Sequence, residues 1–253
     1  MGKLTNQHTM KTSYTFCAML LMGLAFWGGC IKDEEPTPDV RSGLSVVNAF
    51  PEAQAVLHRL DVGHGFQQLG QGQAYRSISS YAIPSYEDCR MEIISSNELA
   101  QLIDTTFALV EDRHYTSFLY GTEATPLHFL TDDRLPDDVE DPGAVAGVRF
   151  FNLSGTAHRA TLHIGTEEPI TAFSDRPTET PQTGEDAEAF VVTTNTGTHV
   201  VTIVDEGGEQ LARRTGVALD PGDYLTFFLT GDGSEDAPYY IGIVRHRGMN
   251  NTP

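Results

Sequence analysis

From residue 43 onward, short runs of β-branched and aromatic residues alternate with clusters of Gly, Asn, Asp and Pro. In the first hundred residues of this region the runs are LSVVN (44–48), AVLHRL (55–60), ISSYAI (78–83), CRMEII (89–94), FALV (107–110), YTSFLYG (115–121) and LHFL (127–130). A second series follows: VRFFN (148–152), ATLHI (160–164), AFVVTT (189–194), HVVTIV (199–204), GVAL (216–219), YLTFFLT (224–230) and YYIGIV (239–244). Each run has period-two alternation or the length of a buried strand, and turn residues bound it. The only segment with a helical stripe, 97–104, is too short to compete. The pattern predicts an all-β chain with an immunoglobulin-like β-sandwich in each series.

The two series repeat one another. Leu44-Ser-Val-Val-Asn48 answers Val148-Arg-Phe-Phe-Asn152, and Tyr115 to Gly121 answers Leu225 to Gly231. The early match is offset by 104 positions and the late one by 110, so the second copy carries an insertion. Its natural home is 165–188, where Thr, Glu, Asp and Pro crowd together, because long surface loops grow at small entropic cost. Two tandem domains are therefore expected: 43–133, then an acidic linker at 134–146, then 147–253. In the second copy, Asp220-Pro-Gly-Asp-Tyr224 predicts a tyrosine corner, in which the phenol hydroxyl bonds back to the backbone. Tyr115 is one place out of register with it in the first copy.

The region before residue 43 has a different character. Lys3 and Lys11 precede an uncharged apolar run, Phe16 to Trp27, that ends in Gly28, Gly29 and Cys30. Its twelve residues suit the core of an export signal and fall short of the roughly 20 that span a bilayer. Met1 and Met10 are both suitable starts, since the stretch from Met10 is a complete signal on its own. Small residues leading into Cys30 resemble a bacterial lipobox, with Trp27 in place of the usual aliphatic residue. That resemblance implies removal of 1–29, a covalent lipid on Cys30 and a tether over 30–42. The order Cys30, Ile31, Lys32, Asp33, Glu34, Glu35 also resembles the export signal that sends Bacteroidota lipoproteins to the outer face of the outer membrane. A periplasm-facing lipoprotein is the alternative. The Pro-containing polar tether serves either destination.

Composition narrows the choice of partner. Sixteen Lys and Arg against 35 Asp and Glu give a formal charge of −19, a field that repels nucleic-acid backbones. Of three cysteines, Cys17 lies in the signal and Cys30 would be blocked by lipid, leaving Cys89 as a small packed side chain with no disulfide partner.

Few residues have the arrangement that catalysis needs. His158 and His163 are five apart on one strand and face opposite ways, while Gly63 interrupts the strand between His58 and His64. No nucleophile elbow, phosphate-binding glycine loop or HExxH is present. The acid run between the copies supplies Asp132, Asp133, Asp137 and Asp138 as candidate calcium ligands, although their spacing matches no EF-hand loop. Tyr239 and Tyr240 are a candidate platform for a glycan.

Val46-Val-Asn-Ala-Phe-Pro-Glu-Ala53, Tyr81-Ala-Ile-Pro84, Tyr115 to Gly121 and Leu127 to Asp133 together resemble bacterial domains catalogued as domain of unknown function 4397. The second copy keeps Asn152, Tyr224 and Gly231 but has no counterpart of the turn at Pro51-Glu52-Ala53, reading Leu153-Ser-Gly-Thr-Ala157 instead. The resemblance implies an extracytoplasmic β-sandwich and brings no catalytic residues with it. The expectation is a non-catalytic cell-envelope lipoprotein that binds a protein or glycan, adheres or serves a structural role. The alternative is an accessory subunit or enzyme of a polysaccharide-utilisation system.

Overall fold

The structure, a computed structural model, describes residues 41–134, 139, 141, 143–156, 158–166 and 169–246. They belong to one unit built almost entirely of strands. In the first copy, β1 (Arg41–Asn48), β5 (Ile78–Pro84), β8 (His114–Thr122) and β9 (Thr125–Asp132) form one sheet, ordered β5-β1-β8-β9. The second sheet is β3 (Phe66–Gln68), β2 (Ala55–Asp61), β6 (Tyr86–Ser95) and β7 (Gln101–Leu109) in that order, with β4 (Gln73–Ala74) also on β2.

The second copy repeats this plan. β12 (Val191–Thr193), β10 (Ala146–Asn152), β15 (Tyr224–Thr230) and β16 (Tyr240–Arg245) form one sheet in that order. β11 (Ala160–Ile164), β13 (Gly197–Asp205) and β14 (Gln210–Leu219) form the other. Leu44 lies opposite Tyr115 in a parallel β1–β8 pair, and Val148 lies opposite Leu225 in a parallel β10–β15 pair, so the repeat holds residue by residue. These parallel pairs join strands far apart in sequence.

The copies do more than follow one another. Leu44, Val46, Met91 and Leu119 lie in the core of the first sandwich, and Val148, Phe150, Ile203 and Phe227 in that of the second. A third core joins them: Val47, Phe118, Tyr120 and Phe129 from the first copy meet Phe151, Phe228 and Val244 from the second. Four sheets therefore stack in series. The middle strands of the two inner sheets are covered on both faces, which is why β8, β10 and β15 are buried along almost their whole length instead of alternating. Phe118 is the hub of the third core, with ring centroids 5.0 Å from Phe129, 5.3 Å from Phe151 and 6.1 Å from Phe228.

Glycines permit some of this packing. Gly43 lies against the ring of His114, and Gly147 against the ring of Tyr224 at the equivalent place. A Cβ at either would lie within 2.2 Å of a ring atom, far closer than packing allows. The tyrosine corner is reversed from expectation. The Tyr115 hydroxyl accepts from the Val110 N–H at 3.2 Å, whereas the Tyr224 hydroxyl has no partner among the described residues. Tyr224 serves instead through its ring, packed edge-on to Phe190.

The insertion falls between β11 and β13, as the offset requires, but it is not an open loop. It contains α1 (Pro181–Asp186), begun by a Thr180–Thr183 capping box with Pro181 in the first turn. Gly184 of α1 sits against Phe129 of the first copy, and the Tyr120 hydroxyl donates to the Glu179 carbonyl at 3.2 Å. The inserted segment thus straps the second sandwich to the first.

Candidate functional site

The sandwich of the second copy has an open side where β14 and β16, the edge strands of its two sheets, come together. A groove of about 340 Å³ lies there, lined by Ala212, Arg213, Arg214, Tyr239, Tyr240 and Ile241. Immediately after the two arginines, β14 bulges: Arg214 pairs with Val201 and Val217 with His199, leaving Thr215 and Gly216 opposite one residue. Gly216 supplies the positive φ of 70° that such a bulge uses. Arg213 is exposed and Arg214 half-buried.

The first copy reaches across to this groove. Asn48, the last residue of β1, accepts at its carbonyl from the Arg76 N–H at 2.7 Å and donates its side-chain amide to the Gln73 carbonyl at 2.9 Å. These bonds fix the loop carrying Arg76, whose φ of 66° is unusual for a residue with a Cβ. The Arg76 guanidinium then lies 4.8 Å from the ring centroids of both Tyr75 and Tyr240 and donates to the Pro238 carbonyl. Arg214 donates to the Ile241 carbonyl at 2.9 Å and lies 5.9 Å from the Tyr240 ring. Asn152 has the matching role in the second copy. Its amide donates to the His158 and Arg176 carbonyls, and this holds His158 edge-on to Tyr239.

Charge around the groove is unlike that elsewhere. Arg59, Arg90, Arg113, Arg134, Arg149, Arg159, Arg176 and Arg245 are all ion-paired with carboxylates. Arg76, Arg213 and Arg214 have no carboxylate partner among the described residues, and no acid lines the groove. In a chain with more than twice as many acids as bases, this local excess of positive charge stands apart.

The residues singled out from sequence are distributed as follows. Cys30, Lys32, Asp33, Glu34 and Glu35 lie outside the described residues, as do Asp137 and Asp138. Asp132 is ion-paired with Arg113 at 2.7 Å and Arg134 at 2.9 Å. Asp133 is buried between the copies, where it pairs with Arg149, accepts from Thr116 at 2.6 Å and Thr131 at 2.8 Å, and lies 3.4 Å from His246. Burial alone would raise its carboxyl pKa; Arg149 and His246 overcome this and hold it well below the usual carboxylate range. Both carboxylates are thus neutralised by the chain's own cations. Cys89 is buried and its thiol is pushed up to about 11, chiefly by burial, which keeps it unreactive.

The histidine pairs do not converge. His58 is fully buried in the first core with no partner at either ring nitrogen among the described residues, and burial pushes it down to about 3; His64 is exposed. His163 lies on β11, while His158 instead meets Asp205 and Glu206, the three offering ligand atoms within 4.8 Å of one another. One oxygen of Asp205 is occupied by the Gly207 and Glu209 N–H groups of its own turn. Tyr239 and Tyr240 do line one groove, although neither is a bare platform: arginines hold Tyr240, and Tyr239 bonds Thr156 at 3.0 Å.

Among the described residues, no helix is long and apolar enough to cross a membrane. No family model matches the chain, and no curated protein matches it. Among solved structures, a family-26 carbohydrate-binding module from Eubacterium rectale in complex with maltoheptaose aligns over 79% of this chain and 95% of its own, at 10% identity and a TM-score of 0.24. A protein described as a cell adhesion protein from Bacteroides uniformis aligns over 81% and 98%, at 9% identity and a TM-score of 0.25. The tip fimbrial protein Mfa3 from Porphyromonas gingivalis aligns over 83% and 100%, at 10% identity and a TM-score of 0.20. At these scores the likeness extends no further than a shared richness in strands.

Proposed function

We propose that this chain is a non-catalytic binding or adhesion module of the cell envelope, anchored by a lipid on Cys30 and presented on the cell surface, with the β14–β16 groove as its ligand site. The observation that carries the reading is the convergence of three arginines without carboxylate partners on a tyrosine-lined groove. Eight other arginines among the described residues are ion-paired with carboxylates, so an uncompensated cluster is best accounted for by something that binds there.

The enzymatic alternative finds little support in the side chains. Ser117 and His128 are hydrogen-bonded at 2.9 Å, but burial holds His128 down to about 4, too weak a base to take a hydroxyl proton near neutral pH. Calcium is not needed to explain Asp132 and Asp133, whose charges are met by arginines.

The test is an array of polysaccharides and envelope proteins probed with the full chain in detergent, beside its Arg213→Ala/Arg214→Ala variant. Retention of the wild type and its loss in the variant are expected. Retention that the variant leaves unchanged contradicts the groove as the site. For the anchor, Cys30→Ala is expected to release the protein from the membrane fraction.

A further inference from the structure

The arginines around the groove also select the chemistry of its ligand, which deepens the binding reading and rests on it. The overall field of a chain at −19 repels anions, so an anion is held here only by direct contact. Arg213 is exposed and lines the groove, and its side chain makes no hydrogen bond or ion pair among the described residues. A planar guanidinium fork in that state matches a carboxylate in two-point contact. Arg214 and Arg76 add positive charge while holding Tyr240, and Arg76 keeps a buried Nε without a partner.

The neighbouring tyrosines narrow the class further. Half-buried rings beside a guanidinium offer flat apolar surface with hydroxyls at the rim, a match for a sugar ring and its hydroxyls. A peptide is a poorer match, because it would bind by adding a strand to an exposed sheet edge. Arg214 already occupies the Ile241 carbonyl on β16, and the bulge at Thr215–Gly216 interrupts β14. The groove's size, near the low end for ligand sites, and its position along an open edge suit a short stretch of a longer chain. We infer that the groove binds a carboxylate-bearing polysaccharide, a uronate chain, with Arg213 on the carboxylate and Tyr239 and Tyr240 beside the sugar ring.

The experiment measures binding of the full chain in detergent to polygalacturonate, to its methyl ester and to poly-glutamate. Polygalacturonate is expected to bind, more weakly as salt rises. Methyl esterification and Arg213→Ala are each expected to weaken binding at least about tenfold, the weight of a single charge-assisted hydrogen bond, with the variant's melting temperature unchanged. Equal binding of the methyl ester overturns the acidic ligand but leaves the groove as a binding site, provided that Arg213→Ala/Arg214→Ala still loses both. Equal binding of poly-glutamate overturns the saccharide. Absence of polygalacturonate binding, or binding that the double variant retains, overturns the inference; if the array also shows no retention, the binding-module reading fails with it.

Discussion

Arg149 and Arg213 are both arginines on strands of the second copy, but their surroundings are opposite. Arg149 is 1% exposed between the two sandwiches. It donates to Thr226 at 2.7 Å, to the Glu188 carbonyl at 2.8 Å and to Thr131 at 3.1 Å, and it pairs with Asp133 while its guanidinium lies 4.5 Å from the Phe190 ring centroid. Arg213 has none of these contacts and faces an open groove. A buried cation is tolerated only when its donors and charge are met, whereas an exposed one can wait for a ligand. The same residue type thus reports structure in one place and recognition in the other.

The contrast can be broken most severely at Arg149. Arg149→Ala leaves Asp133 buried without its main cation and is expected to destabilise the protein by about 3–5 kcal/mol in denaturant unfolding. Phe118→Ala, which empties the centre of the third core, is expected to cost a similar ~3–5 kcal/mol. Because Phe118 touches both copies, the loss should be seen equally by probes placed in either.

Acidification gives a smaller effect. His58, His128 and His246 are all held below the ordinary histidine pKa, chiefly by burial. Such a histidine takes up a proton in the unfolded chain before it does so in the folded one. Stability is therefore full above about pH 6.5 and falls as pH drops toward the folded values of about 3 for His58 and about 4 for His128. The slope is up to about 1.4 kcal/mol per pH unit for each histidine. His58→Leu removes two unpartnered buried nitrogens and should flatten this slope in urea melts between pH 4 and 6.5 without loss of stability at pH 7. The smallest effect belongs to Arg213→Ala, which should move stability by less than about 0.5 kcal/mol.

Much of the fold was legible because strands buried on both faces read as runs dense in apolar and aromatic residues with no regular alternation, and VRFFN and LTFFLT belong to such strands. The two offsets located the insertion for the same reason: the parallel pairs preserve register across the repeat. What the insertion does was hidden. Six helical residues carry no apolar stripe, and only Thr180-Pro181 hinted at a helix start. The corner went to Tyr115 because position 224 aligns with His114, whose ring packs on a glycine as that of Tyr224 does. Asp133 was visible as an acid but not as the partner of Arg149, since pairing across two sheets has no local signature. The groove arginines had one signal, as Arg213-Arg214 is the only place in the sequence where two Lys or Arg residues are adjacent. Their lack of carboxylate partners among the described residues emerges only from the three-dimensional pairing of the other arginines.

The placement of the ligand site is tested most directly by hydrogen exchange of the full chain with and without polygalacturonate. Slowed exchange is expected in 210–216 and 238–242, on both sides of the groove, with no change around Arg149 and Asp133. Protection confined to other surfaces, such as the turn at Asp205 and Glu206, would contradict the account.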